Sequence, residues 1–484
     1  MVVSLPISAA VESPPRQVIA GTAQLGVNAP SVALPLAFIL TGLLALITGS
    51  CWLLFRPDLL ATYHYNQYII AVTHLFVLGW ICSIIVGAMY QLVPVALETR
   101  LYSERLAWWH FIFHIVGFIG MVCMFRIWNM KQVGHFGSGL AFGLGLFVYN
   151  MVRTLRRVPR WNVTATAVAA ALAWIALTIT AGLSLAIGKC TYESTSGLAT
   201  AGGVRTLVSG LRSIAGFMSH FDAISAMHAH AHLGAVGLFT ILLIGVSYKL
   251  IPMFTLSEVQ SRRRAGTSVA LLNLGLAGSF VTILWRSPWK FGFALMIVVA
   301  LGIYGWELGA ILRARKRKSL DWGIKYFLTA IMLLLPVSAL ALVLSWPRLP
   351  LNPFTGQLEN VYGFVGLIGV VTFAVMGMLY KIIPFLVWYG QYSQHIGHAQ
   401  VPSLADLYSS RLQAVGYFSF VVGVAVTSAA IAGSSATIVR AGCLLLMLSV
   451  ATLAVNVAMI LSHLLRPRLK PLVSISATRT RAST

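Results

Sequence analysis

Met227 to Pro252 read MHAHAHLGAVGLFTILLIGVSYKLIP. Three histidines at alternate positions, His228, His230 and His232, head a segment apolar enough for a membrane interior. From His232 onward the stretch has two counterparts in the chain: HLFVLGWICSIIVGAMYQLVP, ending at Pro94, and FVGLIGVVTFAVMGMLYKIIP, ending at Pro384. Each has glycine fifteen residues before its proline (Gly79, Gly237, Gly369), glycine seven before it (Gly87, Gly245, Gly377) and tyrosine four before it (Tyr90, Tyr248, Tyr380). A repeat of this kind implies structural units of one design. Glycines eight apart share nearly one face of a helix, where small residues let neighbouring backbones approach closely in lipid.

The composition agrees with a membrane setting. Of 484 residues, 58% are hydrophobic and 9% charged. Segments long enough to span about 30 Å of hydrocarbon, roughly 20 residues each, lie near residues 31–55, 68–95, 106–125, 136–152, 163–188, 228–253, 266–285, 289–312, 322–346, 358–386, 411–433 and 437–463. The repeat falls on the second, sixth and tenth. The expected fold is therefore an all-α polytopic membrane protein of about twelve transmembrane helices in three pseudo-equivalent four-helix units. The boundaries are a loose tail over 1–30, a transmembrane domain over 31–463 and a basic tail over 464–484.

Arginine and lysine cluster after even-numbered segments, at Arg153 to Arg160, Arg262 to Arg264 and Arg313 to Lys318, and again in the final tail. Loops retained in the cytoplasm accumulate such residues, which puts both termini in the cytoplasm. The formal charge of +23 is spread over loops and tail, so membrane lipid headgroups, and not nucleic acid, are its expected partners. Cys51, Cys82, Cys123, Cys190 and Cys443 show no CxxC spacing, hence neither a zinc site nor a disulfide framework.

Neutral imidazole ligates iron, copper and zinc well, and an ionisable side chain within lipid marks a functional site. His74 and His232 occupy the same repeat position, twenty residues before the proline, where the third unit has Phe364. Two equivalent helices of a closed ring could thus present imidazoles to opposite faces of one flat cofactor. His228 and His232 share a helix face, whereas His230 points roughly the other way, since two residues turn about 200°. The triplet can address two neighbouring sites. His110, His114, His395, His398 and His463 are expected near the cytoplasmic surface, and His64, His135 and His220 in outer loops. Lys249 and Lys381, three residues before their prolines, are expected to anchor in headgroups.

The HxH pair of HAHLGAVGLFTILLIGVSYKLIP, with its Gly, Gly, Tyr and Pro, resembles a transmembrane helix of heme-copper oxidase catalytic subunits, especially the C-type cytochrome c oxidases and nitric oxide reductases. THLFVLGWICSIIVGAMYQLVP resembles the family's second helix. The resemblance implies that His74 and His232 are the axial ligands of a low-spin heme and that His230 matches the high-spin heme ligand; the heme is expected to be b-type, His228 is a further candidate metal ligand, and copper is a second candidate cofactor. It also implies a bacterial plasma-membrane location and a cytochrome c or other respiratory subunit as partner. The departures are specific: the HxH helix is the sixth and not the tenth, and no HH pair occurs, so the copper-site ligand set is not recognisable and no catalytic residue can be named. The expected function is electron transfer through a bis-histidine heme in a respiratory complex. A nitric-oxide-responsive heme and copper protein and a metal- or proton-coupled transporter stay open as alternatives.

Overall fold

The structure, a computed structural model, describes residues 31–193 and 202–471. All twelve apolar segments are helices: α1 (Ala33–Phe55), α2 (Gln67–Ala96), α3 (Glu104–Arg126), α4 (Met130–Leu155), α5 (Val163–Glu193), α6 (Ala223–Thr255), α7 (Arg262–Leu284), α8 (Lys290–Arg313), α9 (Trp322–Leu344), α10 (Pro353–His395), α11 (Ser410–Ala432) and α12 (Ala436–Leu465). Eleven are long and apolar enough to cross a membrane. The remaining one, α4, has the length at 26 residues, but Lys131, His135 and Arg153 dilute its hydropathy. Two further helices were not legible as such, Asp58–Ala61 and Gly202–Met218. The expected tail over 1–30, and the last tail beyond residue 471, lie outside the described residues.

The threefold repeat extends well past the three quoted helices. α3 and α4, α7 and α8, and α11 and α12 pack as tight antiparallel hairpins. Each hairpin turns through a non-glycine residue of positive φ: Trp128 at 57°, Arg286 at 53° and Ser434 at 52°. The next amide then bonds back to the helix, Asn129 to Met124 O (2.9 Å), Ser287 to Thr282 O (2.8 Å) and Ser435 to Ala430 O (2.9 Å), which closes the helix end in the Schellman manner. At the opposite end Ser103, Ser261 and Ser409 cap α3, α7 and α11. A polar side chain from the following helix grips the backbone of each cap. Asn150 accepts from Ser103 N (3.1 Å) and donates to its carbonyl (2.7 Å), and Asn456 does the same for Ser409 at 2.8 and 3.3 Å. In the middle unit the equivalent is Glu307, which accepts from Ser261 N (2.8 Å), Gln260 N (2.6 Å) and Arg264 Nε (2.6 Å).

The repeat helices α2, α6 and α10 form the centre, with 61%, 61% and 72% of their apolar stretches buried, against 44% or less for the other qualifying spans. Their glycines seat the first helix of each unit: a Cβ on Gly87 would lie 2.7 Å from Phe38 of α1, and one on Gly377 2.6 Å from the Gly323 carbonyl of α9. Contacts of α1 with α12 close the ring. Each central helix widens to π geometry for eight residues, at Leu75–Cys82, Leu233–Thr240 and Val365–Thr372, immediately after the His74, His232 and Phe364 position. Such segments are ordinarily a single turn and gather at functional sites. Polar side chains attend to their carbonyls: Ser83 Oγ donates to Leu78 O (3.2 Å) and Thr240 Oγ1 to Ala235 O (2.8 Å).

Several histidines differ from expectation. His110 and His114 are fully buried, because Phe38 of α1 packs over both rings at 5.2 and 5.7 Å; they bond to Tyr90 (3.0 Å) and Ser83 (2.9 Å). His463 is buried too, bonded to Tyr392 at 2.7 Å. Lys249 is exposed, but Lys381 pairs with Asp321 and lies over Phe254, so one repeat position serves two purposes.

The two faces of the ring are distinct. Ser31 N donates to Glu104 (3.2 Å), and Lys470–Pro471 pairs antiparallel with Ala399–Gln400, which sets both described ends on the face bearing the loops after α2 and α10. On the other face, the loop after α1 is tied to the start of α10 by Gln357 Nε2 to Ala61 O (2.9 Å) and Asn360 Nδ2 to Thr62 O (2.7 Å).

Candidate functional site

A cavity of about 1090 Å³ opens at this second face and is walled by residues from Leu53 to Val371. It is slightly larger than the roughly 300–1,000 Å³ of small-molecule and cofactor sites. His64, His74, His228, His230 and His232 all line it, so the structure gathers every histidine of the predicted site into one space and adds His64.

The repeat dictates how two of these rings are held. His74 Nδ1 lies 2.7 Å from the Ile70 carbonyl, and His232 Nδ1 lies 2.7 Å from the His228 carbonyl. A carbonyl only accepts, so in both rings Nδ1 carries the proton and the neutral Nε2 keeps a bare lone pair. This is the tautomer that outer hydrogen bonds impose on ligating histidines. His74 then stacks near Phe125 of α3, at 4.6 Å between ring centres. His232 meets Tyr362 of α10, whose hydroxyl donates to Nε2 at 3.2 Å. Tyr362 and His230 are equivalent under the repeat, each twenty-two residues before its proline.

His230 turns the other way along α6. Its ring fills the space that Gly182 of α5 leaves, since a Cβ there would lie 2.9 Å from Cε1. It is within electrostatic reach of His74, and its buried Nδ1 has no hydrogen-bond partner. A buried imidazole nitrogen left unpaired costs about 1–3 kcal/mol, which a bound group at this nitrogen would offset. The triplet therefore divides: His230 faces the α2 and α5 side, whereas His232 and His228 face α10 and the loop after α1. The cations Lys189, Arg286 and Lys290 also line the cavity.

At the mouth, His64 Nε2 and His228 Nε2 are 2.8 Å apart, and Glu359 completes a group whose ligand atoms all lie within 4.8 Å of one another. From the sequence alone His64 is an outer-loop residue, because it precedes α2 by three residues and its partners are remote along the chain. Asp222 caps α6 at this mouth, accepting from Ser225 N at 3.0 Å. That bond, opposed by partial burial, holds the Asp222 carboxyl below the ordinary range. Burial and then the charge of Glu359 raise the Tyr63 hydroxyl above its ordinary value, so it stays protonated and donates to Glu359 Oε2 at 3.1 Å.

Fold and site together define a polytopic helical membrane protein with a histidine-lined cavity among its three central helices. Comparison with known proteins gives two likenesses: the model of the cytochrome c and quinol oxidase polypeptide I family matches residues 1–133, the stretch that includes His74. A solved heme-copper terminal oxidase, determined as a dimer, aligns with a TM-score of 0.60 at 12% identity, over 89% of this chain and 84% of that one. The chain thus shares the fold of that solved oxidase, in line with the resemblance of its repeat helices. No curated protein matches it in sequence.

Proposed function

We propose that this protein is a membrane heme protein that passes electrons through a bis-histidine iron. The observation that carries the reading is the gathering of His74 and the α6 histidines His230 and His232 on the wall of one cavity, with His74 Nδ1 committed to the Ile70 carbonyl at 2.7 Å so that Nε2 is free to ligate. His74 serves as one axial ligand. The second comes from the α6 triplet, either His232, the repeat equivalent, or His230; the orphaned Nδ1 of His230 and its reach to His74 favour His230. His232, with Tyr362 on its Nε2, then faces a second chamber against α10. A bound heme supplies a one-electron iron couple, and the residues around it supply orientation and a low-polarity setting that tunes its potential. The b-type heme, the respiratory partner such as a cytochrome c, and the bacterial plasma membrane with cytoplasmic termini complete the proposal; the basic loops after the even-numbered helices support the orientation. Copper, one of the ions that imidazole ligands suit, is the second cofactor of the proposal.

The test is a reduced-minus-oxidised visible spectrum of protein produced with ample heme. Sharp low-spin bands are expected, lost in His74→Ala and His230→Ala and kept in His232→Ala. The reverse outcome for the last two variants would return the ligand to His232, and a protein without heme bands would leave a transporter as the better account.

A further inference from the structure

We propose that His64, His228 and Glu359 form a binding site for a divalent first-row transition-metal ion at the mouth of the cavity, separate from the His74 and His230 chamber. The inference does not depend on the heme reading. The three side chains come from the loop before α2, from α6 and from α10, so the site is built by the fold and by no local motif.

The hydrogen bonds fix the chemistry of the first ligand. Asn360 Nδ2 donates to Thr62 O (2.7 Å) and to Gln357 Oε1 (2.8 Å), which orients the amide and leaves Oδ1 facing His64 Nδ1 at 2.8 Å. That oxygen accepts only, so His64 carries its proton on Nδ1 and offers a bare lone pair at Nε2. An outer carbonyl that fixes the tautomer of an imidazole is the usual support of a metal-binding histidine. Asn360 occupies in α10 the repeat position of His228 in α6; one unit contributes the ligand and another its support.

His64 Nε2 and His228 Nε2 lie 2.8 Å apart. Without an ion, His228 donates its Nε2 proton across this gap. Ligation through Nε2 requires that proton to move to Nδ1 and the two nitrogens to part to roughly 3.3 Å, the separation that tetrahedral geometry with bonds of about 2.0–2.1 Å demands. Small ring rotations supply half an ångström. Glu359 is held by Tyr63 through Oε2, which leaves Oε1 as the third donor. Two imidazoles and one carboxylate suit zinc, cobalt, iron or copper, and three protein ligands leave a coordination position open toward the cavity. The surrounding charges are Asp222, which attracts a cation, and Lys290, which repels one; both lie within reach of His228. All three ligands are half-buried, accessible to an incoming ion yet shielded from full solvation.

The test uses the full-length, tag-free protein in detergent, stripped with a chelator and titrated with Co²⁺ at neutral pH. One Co²⁺ per chain is expected, with visible ligand-field bands of nitrogen and oxygen coordination. His228→Ala and Glu359→Gln should abolish those bands, and Asn360→Ala should weaken binding by about 10–100-fold, as loss of an outer-shell partner does. His74→Ala should leave the Co²⁺ titration unchanged, which separates this site from the heme ligands. A wild-type protein that takes up no stoichiometric Co²⁺, or binding that persists in both His228→Ala and Glu359→Gln, would overturn the proposal. Should His228→Ala fail to fold, His64→Gln replaces it; Glu359→Gln keeps shape and tests the carboxylate alone.

Discussion

His230 is the residue on which the proposed cofactor chamber turns, and a glycine in another helix makes room for it. A methyl at Gly182 would press on its ring at 2.9 Å, whereas Gly139 has nothing within 4 Å of an added Cβ. Gly182→Ala is therefore expected to shift the heme bands or midpoint potential, and Gly139→Ala to leave both unchanged. A second residue governs the same helix from its start. Asp222→Ala should cost about 1 kcal/mol through loss of the α6 cap, and Asp222→Asn nearly nothing, read as thermal unfolding in detergent. Because the folded carboxyl is held below its ordinary value, its contribution is complete above an unfolded pKa of about 3.9 and falls away as pH drops through the lower folded value. Stability between pH 7 and 5 should not register this group. The sequence showed the histidine triplet and its division between two sides, because periodicity on a helix is arithmetic. It did not show His64 as part of the site, since its partners lie 164 and 296 residues away, nor the burial of His110 and His114, which depends on where α1 packs.

At the scale of elements, the repeat was legible where residue type constrains the backbone. Glycine for close approach and proline near a helix end are such positions, and they sit in α2, α6 and α10. The cap and bridge that hold each hairpin were not, because serine and asparagine are common and the bridge joins residues about 47 apart. These bridges make a comparison across units possible. Asn150→Ala and Asn456→Ala each leave a buried amide and carbonyl unpaired, which should cost about 1–3 kcal/mol. Glu307→Ala removes the partner of Arg264 as well, in a site where the carboxylate is fully buried, and breaking such a pair costs about 3–5 kcal/mol. Measured melting temperatures should therefore fall modestly and alike in the outer units and further in the middle one. The helix Gly202–Met218 escaped notice because its apolar residues are spaced along one face, as on a helix that lies at an interface, and do not form a continuous apolar run.

For the whole molecule, exposed tryptophans near helix ends, among them Trp109, Trp161, Trp285, Trp289 and Trp346, outline the belts that such residues form at membrane surfaces. The proposed orientation gives a direct measurement: a reporter fused after Thr484 should read cytoplasmic, and one inserted between Leu349 and Asn352 should read external. The opposite pattern would invert the positive-inside assignment. The wall of the cavity ends at Val371, although the ring closes only when α12 meets α1. Read as a schedule of synthesis, the chain has produced every histidine ligand and the proposed metal site before α11 and α12 leave the ribosome. That order lets the proposed cofactor bind before the ring closes, with the last two helices as the clasp.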